Sequence, residues 1–310
     1  MDGPGPARPR EAVLVVNVRS RRGAALHGRV RRMLEERGVV VTAEHLVDDP
    51  AAQMPVLLPQ VLAARPPLLV VGSGDGTVAG VVDHLAHTST VLGYLPLGTT
   101  NNFGRSLGLP LRLADAVDVV ARGRVASVDL GQVNGDWFAN LVSMGVSAAV
   151  AGRTPHALKR RIGRAAYAVT AARALTTHRA FEAEIRTEDR VWTVRTHQLN
   201  IANGRVHAGT PIARDAGVDD RLLVAYALGG SRRFSVATAA ARQALTPWQP
   251  LERKGYLTGT RFEITTDRPL ALDVDGEVTG STPASVTVTG DAMRVMVPQT
   301  FVPRDPTTPR

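Results

Sequence analysis

Three short stretches of the chain bring together residue types that could handle a phosphate group. Gly72-Ser73-Gly74-Asp75-Gly76-Thr77 comes directly after the apolar run 68–71 and directly before a helical pattern. Glycines there permit a tight strand-to-helix turn and let a ligand approach the backbone. The N–H groups at the start of the following helix suit an anion. Asp75 does not belong in a pure anion cradle; it fits one that works through a cation, or that bonds a ribose or a backbone group. A single turn of this composition is equally what a structural turn looks like. Pro96-Leu97-Gly98-Thr99-Thr100-Asn101-Asn102-Phe103 repeats the theme after the run 91–97. Capping of the next helix accounts for one of its hydroxyls or amides, not for four in a row. The third stretch is Leu272-Asp273-Val274-Asp275-Gly276-Glu277. Asp-Gly reads as a hairpin turn, while Asp275 and Glu277 offer paired carboxylates for a general base or a metal organiser.

The elements around these stretches form two textures. Residues 12–17, 39–46, 68–72 and 91–97 read as short buried strands, with helices near 25–37 and 78–87 between them. Strands alternating with helices imply a mostly parallel sheet, and in such sheets ligands bind beyond the carboxyl ends of the strands. The first two glycine-containing loops therefore face one crevice. Past residue 124 the pattern turns to antiparallel β. Asn134-Gly135 sits between two alternating runs, and FEAEIRTEDRVWTVRTHQLNIANG, RLLVAYAL, RFEITTD, ASVTVTG and AMRVMVP are strand-like. Helical segments are expected near 155–178 and 232–245. The reading is an α/β domain over 11–130 and a β-rich domain over 131–303, with the boundary near 124–131.

Composition narrows the chemistry. The 310 residues contain no cysteine, which excludes thiolate nucleophiles, Fe–S clusters and Cys-ligated zinc. Lys159 and Lys254 are the only lysines, so no Gly-x-x-x-x-Gly-Lys-[Ser/Thr] loop exists and phosphates must be held another way. A net charge of +9 suits anionic partners, whether phosphate ligands or an acidic membrane surface. Aromatics are too sparse at 4% for nucleic-acid stacking. No apolar run approaches the roughly 20 residues of a membrane span, and the start MDGPGPARPRE carries no apolar signal segment, so a cytoplasmic location is expected. The stretch 153–179 holds seven Lys/Arg and no Asp or Glu; it reads either as a helix lying on an anionic bilayer or as the solvated face of a packed helix. The eight histidines show no metal-ligand spacing.

Taken together, GSGDGT, PLGTTNNFGRSLG and the late DGE, in that order and with VDLGQVNGDWFAN at the junction, resemble the diacylglycerol kinase catalytic-domain family. The likeness covers residues 12–298 and is narrower towards bacterial soluble lipid kinases and their sphingosine-kinase relatives. It implies a nucleotide-binding domain like those of NAD kinases and 6-phosphofructokinases, then a β-sandwich domain, with ATP between them. By position it implies that Ser73, Gly74, Asp75, Gly76 and Thr77, with Gly98, Thr99, Thr100 and Asn101, hold ATP. Asn17 and Ser20 sit where the family has its Asn-Pro-x-x-Gly nucleotide loop. Asp129 would join the carboxylates around Mg²⁺, and Gly217, Asp220 and Leu222 would bind a structural Mg²⁺. Glu277 would accept the substrate proton, with Asp275 beside it. The expected reaction is transfer of the ATP γ-phosphoryl group to the hydroxyl of a lipid, diacylglycerol-like or sphingoid, at a membrane surface. The rivals are NAD kinase and a catalytically weakened nucleotide- or lipid-binding protein.

The chain departs from the family pattern at several of these positions. Ser73 replaces a glycine, Ala79-Gly80 the usual Asn-Glu, and Asn102 an aspartate. Val18 and Arg21 replace a proline and a glycine, and Arg221 replaces the glycine of the magnesium loop.

Overall fold

The computed structural model describes residues 8–153, 178–204, 206–207, 210–212, 216–228 and 256–304. The helix expected near 232–245 and nearly all of the basic stretch 153–179 lie outside them. The described chain divides into two compact units. One is Met1–Leu130 with Gly217–Arg221 and Thr289–Arg310; the other is Gly131–Ala216 with Leu222–Val288. The ranges 11–130 and 131–303 read from the sequence are thus crossed twice, because Gly217–Arg221 and Thr289–Arg310 belong with the first unit.

The first unit is built on parallel strands in the order β2 (Val40–Val47), β1 (Glu11–Asn17), β3 (Leu68–Ser73), β4 (Val91–Pro96). β3 and β4 are buried at every residue, as a parallel sheet covered on both faces requires. Leu14, Val16, Leu68 and Val70 pack on one face with Val30 and Leu34 of α1 (Gly23–Glu35) and with Ala116, Val117 and Val120 of α5 (Leu113–Arg122). α2 (Pro50–Ala63) and α3 (Asp75–Leu85) pack against each other. The sequence reading has no helix at α2. Pro55 and Pro59 interrupt its pattern, yet Met54, Leu58 and Val61 are buried along one stripe, and Gln53 Oε1 accepts the amides of Asp48 and Asp49 at its start.

The second unit is a β-sandwich. One sheet runs β14 (Tyr256–Gly259), β13 (Leu223–Leu228), β10 (Gln198–Asn203), β7 (Leu141–Gly145), β16 (Ala271–Val274), β17 (Glu277–Ser281), all antiparallel. The facing strands are β8 (Phe181–Arg186), β9 (Val191–Thr196) and β15 (Arg261–Thr266), with the first residues of β18 (Ala284–Val297). Val142, Met144, Leu199, Ile201 and Leu272 from one side meet Phe181, Ile185, Phe262, Ile264 and Val286 from the other in a single core. α6 (Val146–Arg153) follows β7 directly.

β5 (Arg124–Val133) and β18 each contribute residues to both units. β5 turns into β6 (Asp136–Phe138) through Asn134 and Gly135, both at positive φ, the hairpin turn that Asn-Gly signals. β18 reads in the sequence as two strands; it is one, bent at Asp291 (φ 54°), and pairs antiparallel with β15 before the bend and parallel with β4 after it.

Candidate functional site

The loops leaving β1, β3 and β4 emerge at the carboxyl ends of three adjacent parallel strands. They are bonded to one another. Asn17 Nδ2 donates to Thr77 Oγ1 at 2.9 Å, the Leu97 amide donates to the Ser73 carbonyl at 2.8 Å, and the Arg22 amide to the Leu97 carbonyl at 3.3 Å. Asp75, the first residue of α3, accepts the Thr100 hydroxyl at 3.0 Å and the Phe103 amide at 3.2 Å. The third loop runs into α4 (Asn102–Ser106), and Arg105 Nε donates to the Thr100 carbonyl at 2.9 Å.

The three glycines of these loops do different work. A Cβ on Gly98 would lie 2.6 Å from the Gly74 Cα, and one on Gly74 would lie 3.2 Å from the Gly98 Cα. The two backbones touch, so Gly98 excludes a side chain and Gly74 leaves room for one only if the facing backbone gives by a few tenths of an ångström. Nothing lies within 4 Å of a Cβ built on Gly76, which is exposed at the N-terminal end of α3. The space over Gly76 is where a phosphate can meet helix N-terminal amides.

Several residues expected to touch nucleotide turn inward. Ser73 is fully buried, and its hydroxyl donates to the Gly74 carbonyl at 3.2 Å. Asn101 is buried in the left-handed conformation (φ 50°); its Oδ1 accepts the Gly98 amide and its Nδ2 donates to the Gly98 carbonyl. The sequence did not single out Tyr94, whose hydroxyl donates to the Ser73 carbonyl at 3.2 Å. Burial, with the Asp75 charge nearby, pushes its pKa well up. The Ser20 hydroxyl donates to the Asn17 carbonyl at 2.8 Å and closes the first turn. Thr99 is exposed, and Thr77, though buried, accepts one hydrogen bond through its hydroxyl among the described residues.

The loop 217–221 is also drawn inward. The buried Asp220 accepts the Gly217 amide at 2.7 Å, and the Arg304 guanidinium stands 3.7 Å from the same oxygen. Asp219 accepts the Arg304 amide at 2.9 Å. Asp129, 3% exposed, accepts the amides of Arg221 at 2.6 Å and Asp291 at 3.1 Å. Its burial raises its pKa to about 6 against the pull of those two amides. Arg221 takes the left-handed conformation that suits glycine (φ 57°), and its guanidinium pairs with Asp291 at 2.8 Å. Leu222 begins the stretch that belongs to the second unit. Among the described residues no three His, Asp or Glu side chains converge as metal ligands. At Asp220 one carboxylate oxygen is thus already approached by the Gly217 amide and the Arg304 guanidinium.

In the second unit, Asp275 and Gly276 form the two-residue turn between β16 and β17, both at positive φ. The Asp275 carboxylate accepts the amides of Ala139 (2.7 Å), Asn140 (3.1 Å) and Leu141 (2.8 Å). It fastens that segment to the turn, a role no local pattern announces. Glu277 is exposed.

Comparison with known proteins agrees with this architecture. Residues 11–133 match the diacylglycerol kinase catalytic domain, and 140–297 match the "YegS C-terminal NAD kinase beta sandwich-like domain". The "Probable lipid kinase YegS-like" of Yersinia enterocolitica is 29% identical over 74% of this chain and 78% of its own length. The same-named protein of Pseudomonas aeruginosa is 30% identical over 78% and 80%. The "Diacylglycerol kinase" of Staphylococcus epidermidis is 30% identical over 70% of each. A crystal structure of a diacylglycerol kinase from Bacillus anthracis superposes with a TM-score of 0.76 at 21% identity, covering 96% of this chain and 99% of that one. With both parts matched in order, the chain belongs to the family that joins a diacylglycerol kinase catalytic domain to a YegS-type C-terminal domain.

Proposed function

We propose that this protein is an ATP- and Mg²⁺-dependent lipid kinase that phosphorylates the free hydroxyl of a diacylglycerol-like lipid. The observation that carries the reading is the set of three bonded loops at the ends of β1, β3 and β4, with Gly76 exposed and unobstructed at the start of α3. Asn17, Gly76, Thr77 and Thr99 face the phosphates. Ser73, Gly74, Gly98, Thr100 and Asn101 hold the loops in that shape, and Ser20 closes the first turn. Asp75 keeps the second and third loops in register and is the carboxylate best placed to hold the nucleotide's Mg²⁺, which neutralises charge on the γ-phosphate. With almost no lysine, the remaining compensation falls to helix amides and to arginines such as Arg19, Arg21 and Arg105. Glu277 takes the proton of the lipid hydroxyl as that oxygen bonds to the γ-phosphorus and the bond to the β–γ bridging oxygen breaks, releasing ADP. Asp275 anchors the turn that presents Glu277.

The relatives named as lipid and diacylglycerol kinases support the acceptor class. An acylglycerol acceptor would bring the enzyme to a membrane surface as a peripheral protein, and no described helix is long and apolar enough to cross one. Purified protein, labelled ATP, Mg²⁺ and a mixed lipid extract test the proposal. Label in the lipid phase is the expected result. Label in NADP favours an NAD kinase, and ATP binding without transfer favours the weakened-binder reading.

A further inference from the structure

The sheet of β14, β13, β10, β7, β16 and β17 carries a polar row on the face turned away from the sandwich core. Tyr226, Asn200, Ser143 and Asp273 are cross-strand neighbours in one line across β13, β10, β7 and β16. Their flanking residues Val142, Met144, Leu199, Ile201, Leu272 and Val274 lie in the core, so the two-residue period of a strand sets the row on the opposite face. Beside it there, Ala202, Val224 and Tyr226 form an apolar cluster with Ile212 and Ala216. Asn200 is fully buried.

Hydrogen bonds along this face fix which end of each amide points where. The Ser147 amide of α6 donates to Gln198 Oε1 at 2.8 Å. A backbone N–H can only donate, so the Gln198 oxygen is placed and Nε2 must face the other way. It donates to Asn200 Oδ1 at 2.7 Å. Exchanging the Asn200 oxygen and nitrogen would set one N–H against another. Asn200 Nδ2 is thereby turned away from Gln198, and among the described residues this buried donor has no hydrogen-bond partner. Native proteins rarely bury a donor without an acceptor, and one that persists marks a missing partner. The Ser143 and Ser147 hydroxyls, 2.8 Å apart, make the neighbouring positions of the row polar as well.

We propose that the missing partner is the substrate: Asn200 Nδ2 donates to an ester carbonyl of the acylglycerol, and Asn200 selects an ester-linked headgroup. The proposal rests on the lipid-kinase reading above. An amphiphile matches the surroundings, since its carbonyl oxygen would meet the polar row and its hydrocarbon the adjoining apolar cluster. A sphingoid base has no ester carbonyl and would offer the amide only its hydroxyl oxygens.

The test compares dioctanoylglycerol with its dioctyl ether analogue in the same micelles, reading phosphorylation and, without ATP, direct binding. Wild type should favour the diester by about 10-fold in kcat/KM, because a site built to hydrogen-bond an oxygen penalises its loss. Asn200→Leu should abolish that preference through the KM for lipid, with the KM for ATP unmoved. Asn200→Asp, which keeps an acceptor for Gln198, should do the same. No diester preference in wild type, or an equal one in both variants, overturns the proposal. If wild type phosphorylates no lipid, the kinase reading falls and binding decides. Diester binding weakened about 10-fold in the variants sustains the role of Asn200; binding that is absent or unchanged overturns it.

Discussion

Gly76 and Gly98 occupy neighbouring loops, yet the surroundings of a side chain at each differ completely. At Gly98 a methyl group would press on the Gly74 backbone at 2.6 Å, whereas at Gly76 it would meet only open space. Gly98→Ala should therefore force the loops apart and lower stability by about 1–3 kcal/mol, as overpacking does. Gly76→Ala should leave the melting temperature unchanged and cut turnover at least about 10-fold, since the methyl intrudes only on bound phosphate. Thermal melts beside kinase assays separate the two, and a Gly76 variant of full activity would remove the phosphates from α3. The carboxylates of the late turn divide in the same way. Asp275→Asn leaves one acceptor oxygen for three amides and should cost about 2–3 kcal/mol of stability. Glu277→Gln, at an exposed position, should leave stability within about 0.5 kcal/mol and lower turnover about 10²-fold. Normal turnover in Glu277→Gln would take the proton acceptor elsewhere.

At the scale of elements, the loop 217–221 closes on Asp129, Asp220, Asp291 and Arg304 through backbone amides and a guanidinium. In the absence of nucleotide, adding Mg²⁺ or EDTA should leave the melting temperature where it is; a rise of several degrees with Mg²⁺ would show that the amides and Arg304 give way to a cation. Asp129 makes the same cluster pH-sensitive. The folded protein takes up its proton at about 6, against an ordinary value of 3.8. Between those values the folded form binds more protons, so this group's contribution is present at low pH and is lost as pH rises through about 6. The stability of wild type relative to Asp129→Asn should accordingly fall from pH 4 to pH 7; a constant difference would contradict the buried environment assigned to Asp129. The loops that follow β3 and β4 were legible in the sequence because glycine, hydroxyl and strand-to-helix signals are all local. The roles of Asp275, Asn101 and Asp220 were not. Asp275 meets amides from the far end of the second unit's sequence, Asn101 closes on its own loop, and Arg304 reaches the Asp220 loop from the last described residues. α2 escaped because two prolines mask a stripe that tertiary packing alone reveals.

At the scale of the whole molecule, the alternation of strand and helix announced the first unit, and the Asn-Gly and Asp-Gly turns announced the antiparallel second. The non-linear division, with Gly217–Arg221 and Thr289–Arg310 returning to the first unit, has no local signature, because pairing of β18 with β4 is a long-range event. The proposed chemistry draws on the β3–α3 and β4–α4 loops, which belong to the first unit, and on Glu277, which belongs to the second. The most direct measurement of that chemistry is transfer of the labelled γ-phosphoryl group of ATP to dioctanoylglycerol in mixed micelles with Mg²⁺, run side by side for wild type, Gly76→Ala and Glu277→Gln. The account predicts labelled, chloroform-soluble lipid with wild type, at least about 10-fold less with the glycine variant and about 10²-fold less with the glutamine variant. Transfer undiminished in both variants, or no labelled lipid from wild type at any Mg²⁺ concentration, would contradict it.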